Sequence, residues 1–501
     1  MLDFFRVLCL IWILAFGTCQ FTMSGSAYNP WTLQDYFKTI AYTIVYSANL
    51  GFDEFFMLSS FFAYVRITNY FKYSASVPEK MSEFDYYRIY AHRFMRLAPV
   101  YYMVFLFGWL VGPYLNSGPW WFTYQMGFCD CEHYWWSVFT MTINFFPGYV
   151  VANEGCFYWG WFTACEMQLF LVIPLLVYVV EFRLKARKFA QVLVLLAILA
   201  VGTYINYHVI YVNNMAAGLF APQDISIYKL WLNKPYTKLH SVALGMLLAQ
   251  LFLGVNQAKR DGEFEAYLRN SIFRSGWVAS FACLASFGLL AFLSTYPRSA
   301  NNDPASWSRE KSAIFVSLSR PAFLMALMCL FYLLWLNHAS GMKRFFSRRM
   351  WAVPARLSYG IYLVFPITSA QFNSSMDAAL YLTYNEMFFQ LIFNMLCALI
   401  AAMVVHVLFE APLKNLLAGR TEIESYSSSL RAAKLALHAE SLDSASEGRP
   451  SSVAPRLPHL NIRLQSTSTA GVSERDTLAS AASAPASRDQ TMDGGMIEGK
   501  I

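Results

Sequence analysis

Residues 386–409 read EMFFQLIFNMLCALIAAMVVHVLF, and after Glu386 no Lys, Arg, Asp or Glu interrupts the run. A helix of that length, rising about 1.5 Å per residue, crosses a hydrocarbon core roughly 30 Å thick. The same signal recurs along the chain. Apolar blocks of 17 to 27 residues also lie at 3–20, 40–66, 94–115, 158–180, 189–213, 239–255, 276–296, 313–337 and 354–372. Strands of a membrane barrel would alternate polar and apolar over about ten residues instead. The reading is an all-α integral membrane protein of about ten transmembrane helices. Composition agrees: 57% of residues are hydrophobic, 18% aromatic and only 14% charged. An ordinary soluble domain carries about 25% charged residues. A globule this apolar could not cover itself in water.

The formal charge of +7 does not point to nucleic acid, because the basic residues are spread between apolar blocks. They act first as topology signals. With the N-terminus cytosolic, the inside stretches Arg66–Arg96, Arg183–Lys188, Lys259–Arg274 and Lys343–Arg356 hold 19 Lys or Arg against seven outside. The longest outside loop, 114–157, has none. The N-terminal run has no basic leader and carries Arg6 inside it, which predicts a retained first helix. The nine cysteines include no CxxC pair, so no metal site is expected. Cys129, Cys131 and Cys156 share the outside loop, where an oxidising lumen permits a disulfide. Cys131 and Cys156 bracket the Trp135-Trp136 pair and are the expected bridge of a folded lumenal cap. Asn373-Ser374-Ser375, the one glycosylation sequon, also falls outside but close to the membrane.

Two domains follow: a membrane domain over 1–416 and a tail over 417–501. The tail is rich in Ser, Ala, Arg and Pro and too poor in apolar residues to offset chain entropy. It is expected to be disordered and cytosolic, with a short helix around 423–442. Both termini would then be cytosolic, in a multi-pass protein of the endomembrane system or plasma membrane.

Charges inside the apolar blocks need a reason, since each costs about 2.5–3.5 kcal/mol at mid-bilayer on insertion scales. Asp53 and Glu54 sit in the second block, Glu166 in the fourth and Arg320 in the eighth. Interhelical pairing, for instance of a carboxylate with Arg320, is one explanation; a polar cavity is the other. Arg6, Arg93 and Arg96 lie near cytosolic helix ends, where a single Arg would simply snorkel to the headgroups. The spacing Arg93-x-x-Arg96 puts two guanidiniums on one helical face, an arrangement suited to a phosphate-bearing ligand.

The order of motifs resembles the acyltransferase family 3 membrane proteins, particularly the nose-resistant-to-fluoxetine subgroup, over residues 2 to about 416. Leu2-Asp3-Phe4-Phe5-Arg6-Val7-Leu8 resembles LDGLRVL, and Phe52-Asp53-Glu54-Phe55-Phe56-Met57-Leu58-Ser59 resembles VDTFFFLSG. Arg93-Phe94-Met95-Arg96-Leu97-Ala98-Pro99 matches RxxRLxP, and Trp161 to Gln168 is similar to WYLAxDMQ with Glu166 for Asp. Gly118-Pro119 and the stretch from Cys131 to Trp136 resemble the lumenal loop. Lys234 to Lys238 resembles KPWTR, Ser319 to Phe323 SRPAW, Leu357 to Val364 LSYxxYLV, and Phe409 to Pro412 VExP.

The resemblance implies transfer of an acyl group from cytosolic acyl-CoA to a hydroxyl acceptor, lipid or glycan, on the far side of the membrane. Arg93 and Arg96, with Arg320, would bind the donor, and Arg6 would be the Arg of the family's first-helix Arg-x10-His motif. This chain departs where a base is expected. Gly17 stands at the His of that motif, and Phe365 replaces the His closing LSYxxYLVH. Neither has a proton to exchange near neutral pH. Glu166 or Asp53 is the expected substitute. The alternative is an inactive relative that binds lipid or acyl-CoA for sensing, transport or scaffolding. A solute transporter would show two related halves, and none is evident.

Overall fold

The computed structural model describes residues 1–25, 27–29, 35, 36, 38–75, 84–147, 155–184, 187–217, 227–413 and 415. The tail expected from residue 417 and its short helix lie outside the described residues.

Among the described residues ten long helices occupy the ten apolar blocks: α1 (Leu2–Gly25), α2 (Asn49–Ala75), α3 (Phe84–Leu106), α4 (Trp161–Tyr178), α5 (Lys188–Val212), α6 (Leu239–Arg260), α7 (Gly276–Thr295), α8 (Arg309–Trp335), α9 (Ala352–Ser374) and α10 (Tyr384–Val405). Among the described residues the only β feature is an isolated bridge between Ala27 and Leu380. Some boundaries differ from the apolar blocks for local reasons. The second block splits into a short helix, Ile40–Tyr46, and α2. At the break Ser47 donates its hydroxyl to the Thr43 carbonyl at 2.9 Å and the Ser294 carbonyl at 3.0 Å. Helix α3 starts ten residues before its apolar block because its first turns carry the basic residues. Helix α8 starts at a Ser308 cap, whose hydroxyl accepts from the Lys311 amide at 3.2 Å.

Eight of the ten are long and apolar enough to cross a membrane. The other two, α2 and α9, are diluted by polar residues that face protein rather than lipid: Asp53, Glu54 and Ser60 in one, Ser358, Ser369 and Asn373 in the other, all buried. Helix α2 is the hub, packed by α6, α4, α1 and α8. Its closest approach is to α6, where a Cβ on Gly245 would collide with the Met57 carbonyl and the Ser60 hydroxyl. Small residues are what allow backbones to meet this closely in lipid, where helices gain nothing by hiding apolar surface from each other. Helices α7 and α10 lie outside this core and present Trp277, Phe281, Phe388 and Ile400 outward.

The loop between α3 and α4 folds as a cap with two short helices, Trp121–Met126 and Cys131–Phe139. The expected bridge is present between Cys131 and Cys156; Cys129 takes no part in it. Tyr124 donates to the Gly108 carbonyl at 2.8 Å, and burial pushes its hydroxyl up to about 12, so it stays a donor. Thr123 and Ser374 share a 2.6 Å hydrogen bond, and Gln371 donates to the Gly112 carbonyl at 2.8 Å, so the cap is fastened to the end of α9. The same packing buries Asn373 of the sequon to 4% exposure.

Two outcomes are expected. Deglycosylation with peptide N-glycosidase leaves the gel mobility of the expressed protein unchanged, because Asn373 cannot be reached in the folded state. Cys131→Ser exposes one additional alkylatable thiol under non-reducing denaturing conditions. Opening a 25-residue separation also costs about 3 kcal/mol in the chain-entropy picture, read as a lower melting temperature.

Candidate functional site

The polar interior has two parts. The first surrounds Asp53, wholly buried in the second turn of α2. Its carboxylate accepts a hydrogen bond from Nη1 of Arg320 on α8. Lys238, at the entrance to α6, places Nζ 3.6 Å from the Asp53 Oδ1, and His240 places Nε2 3.9 Å from Oδ2. The Arg320 guanidinium also lies over the Trp231 ring, 4.1 Å from its centroid. Trp231 is itself held by a 2.6 Å hydrogen bond to Asn206, which in turn donates to the Thr237 carbonyl at 2.9 Å. One carboxylate thus organises three helices and the segment leading into α6. Asn144 extends the network to the cap: it pairs with Gln168 at 2.8–2.9 Å and takes Lys234 on its carbonyl.

The second part lies further along α2. Arg93 of α3 forms an ion pair with Glu166 of α4 and donates to the Ser59 hydroxyl at 2.6 Å. Its guanidinium sits 4.9 Å from the Phe170 ring centroid. Arg96, Arg66 and His92 are exposed around this pair and within electrostatic reach of Arg93, and Arg6 of α1 comes within reach of Arg96. Four guanidiniums gather around Glu166, with Glu54 also in reach of Arg6, and make a basic funnel at this end of the bundle. Such a concentration suits a ligand with several phosphate charges.

The expected site residues therefore separate. Arg93, Arg96, Arg6 and Glu166 come together. Arg320 does not join them: it and Asp53 form their own pair, so the expected grouping of Arg320 with the donor arginines gives way to a role at the Asp53 cluster. Asp53 Oδ2 and Glu166 Oε1 are each engaged by a guanidinium, while Asp53 Oδ1 has no hydrogen-bond partner. The residue that stands out instead is Glu54, the neighbour of Asp53. It is wholly buried, neither carboxylate oxygen has a well-aligned hydrogen-bond partner, and its nearest ionisable neighbours are Cys9 and Arg6 of α1. Successive helical residues point about 100° apart, so Asp53 faces α6 and α8 while Glu54 faces α1.

The acyltransferase domain family matches residues 1–411. The chain belongs to acyltransferase family 3. It is also similar to the nose resistant to fluoxetine protein 6 of Caenorhabditis elegans, 24% identical over 390 residues, which is 74% of this chain and 45% of that protein. The chain thus spans about half the length of the curated relative it matches. No solved structure matches it. Among the described residues no group of His, Cys, Asp and Glu is arranged to hold a metal.

The two positions where this family 3 chain departs from the motif pattern are neighbours in space. A Cβ built on Gly17 would lie 2.6 Å from Cε1 of Phe365, so the ring occupies the volume a side chain at 17 would need. Leu10, Leu14, Ile361 and Ala398 complete a dry apolar cluster around them. The two replacements are complementary in size, large for one and nothing for the other. Tyr362 of α9 also packs against the cluster, with its hydroxyl given to the Trp159 carbonyl at 2.7 Å. The remaining histidines do not supply a base there: His406 pairs with Glu410 at 2.7 Å, and His208 is exposed on α5.

Replacing Asp53 tests the first part. Asp53→Asn leaves Arg320 and Lys238 buried without their counter-charge, and destabilisation of about 3–5 kcal/mol is expected, measured by unfolding in mixed micelles. Asp53→Asn/Arg320→Met recovers part of that loss.

Proposed function

We propose that this chain binds an acyl-CoA donor from the cytosolic side and passes its acyl group to a hydroxyl acceptor, lipid or glycan, on the lumenal or extracellular side. The single observation carrying this is the convergence of Arg6, Arg66, Arg93 and Arg96 at one end of the bundle. Positive-inside charge bias supports placing that end in the cytosol, in the endomembrane system or plasma membrane. The donor phosphates would be held by Arg93 and Arg96, with Glu166 and Ser59 fixing the Arg93 guanidinium.

For transfer, the acceptor O–H gives its proton to a base as its oxygen attacks the thioester carbonyl, and the coenzyme A thiolate leaves and is protonated. Glu54 is the carboxylate best placed to accept that proton, because, unlike Asp53 and Glu166, it is not ion-paired in direct contact. The contact between Gly17 and Phe365 favours a second reading: a family member that binds donor or lipid and does not transfer. The apolar cluster there supplies no base, and function belongs to the site rather than the fold.

The experiment uses radiolabelled acetyl-CoA and longer acyl-CoAs with the protein in liposomes containing lipid and glycan acceptors. Arg93→Ala/Arg96→Ala is expected to weaken donor binding by roughly a hundredfold, about 1.4 kcal/mol for each factor of ten. Glu54→Gln is expected to retain donor binding and lose product. Donor bound by the unaltered protein but never transferred establishes the second reading. Donor binding untouched in the double arginine variant removes both.

A further inference from the structure

A narrow cavity opens beside the Asp53 cluster, at the end of the bundle opposite the four arginines. Leu50 in the first turn of α2 lines it, while Arg66 lies sixteen residues along the same helix, about 24 Å away at 1.5 Å per residue. Ser47, Asn49 and Asn301 give its wall a polar side, and Ile210 and Val316 an apolar one. Arg320, only 1% exposed, lines it as well.

In the Asp53 cluster, hydrogen-bond donors are left unmet. Arg320 gives Nη1 to Asp53, while its buried Nη2 has no hydrogen-bond partner. Lys238 Nζ stands 3.6 Å from the same carboxylate, beyond hydrogen-bond range, and is also without a hydrogen-bond partner. Two cationic side chains thus share one carboxylate. Among the described residues Asp53 is the only carboxylate acting on Arg320 or Lys238, and Glu54 is turned toward α1. A guanidinium cannot shed its charge in a protein. The unmet Nη2 donor calls for an acceptor, and the cavity beside it gives one a route in.

We propose that this cavity binds a compact anionic head group, a carboxylate or phosphate, carried on a short apolar body, with Arg320 Nη2 as its principal donor. The polar wall would solvate the head group and the apolar wall would take the body. The proposal does not depend on acyl transfer, and it holds whether or not the arginine funnel binds acyl-CoA.

The test uses the full chain in nanodiscs of phosphatidylcholine, with thermal stability and tryptophan fluorescence as readouts, since Trp231 stacks on Arg320. Octanoate and octyl phosphate are expected to bind saturably and raise the melting temperature; octanol at equal concentration is not. Octyl phosphate binding more tightly than inorganic phosphate supports the amphiphile, and equal binding overturns it. Val316→Phe, which narrows the cavity without touching the ion pair, is expected to weaken octanoate binding at least about tenfold. If that variant is itself destabilised, Asn301→Trp at the rim carries the test. Arg93→Ala/Arg96→Ala should leave octanoate binding unchanged. Octanol matching octanoate, or octanoate affinity unmoved by both filling variants, overturns the proposal. So does loss of octanoate binding in the double arginine variant.

Discussion

The charge on Asp53, buried in a bundle made for lipid, is the constraint on which the rest of the structure turns. A carboxylate there must be compensated, and compensation comes from Arg320 on α8 and Lys238 at the start of α6. Those two cations bring three helices to one point, and Trp231 and Asn206 close the network from behind. Ion pairs of this kind contribute little net stability against apolar residues of the same size. What they do is penalise every arrangement in which a partner is missing, which sets the register of α2 against its neighbours.

Helix α2 then serves both ends of the molecule. Its first turns carry the Asp53 cluster, its middle supplies Ser59 to the Arg93–Glu166 pair, and its far end presents Arg66 to the arginine funnel. A helix with so many polar contacts is poorly apolar by composition, and it survives in the membrane because α1, α4, α6 and α8 shield it. The close approach at Gly245 keeps that shield tight. Between the two polar regions Glu54 looks the other way, into α1, and among the described residues is the one buried carboxylate without a direct cationic contact.

The contact of Gly17 with Phe365 gives the departure from the family's motifs a structural meaning. A side chain at 17 and a ring at 365 compete for the same volume, so the two replacements fit together as a pair. The result is an apolar contact between α1 and α9 at the place where the motif pattern has two imidazoles. In the proposed reaction, donor binding and proton transfer fall to separate places, the first to arginines at the bundle's end and the second to Glu54 of α2.

Ten helices, their order and the capped loop were legible in the sequence, because apolar length and cysteine placement are local properties that the membrane and an oxidising compartment read directly. The doublet Arg93-x-x-Arg96 was legible for the same reason, since helical spacing alone puts both on one face. Partner choice was not. Asp53 and Glu54 are adjacent in the chain and alike in charge, yet a turn of about 100° sends one to Arg320 and the other to α1. Arg320 reads as one more donor-binding arginine until the fold sets it against Asp53 and Trp231. The sequence determined that charges would be buried in lipid; only packing between distant helices decided which of them are neutralised and which are left to act.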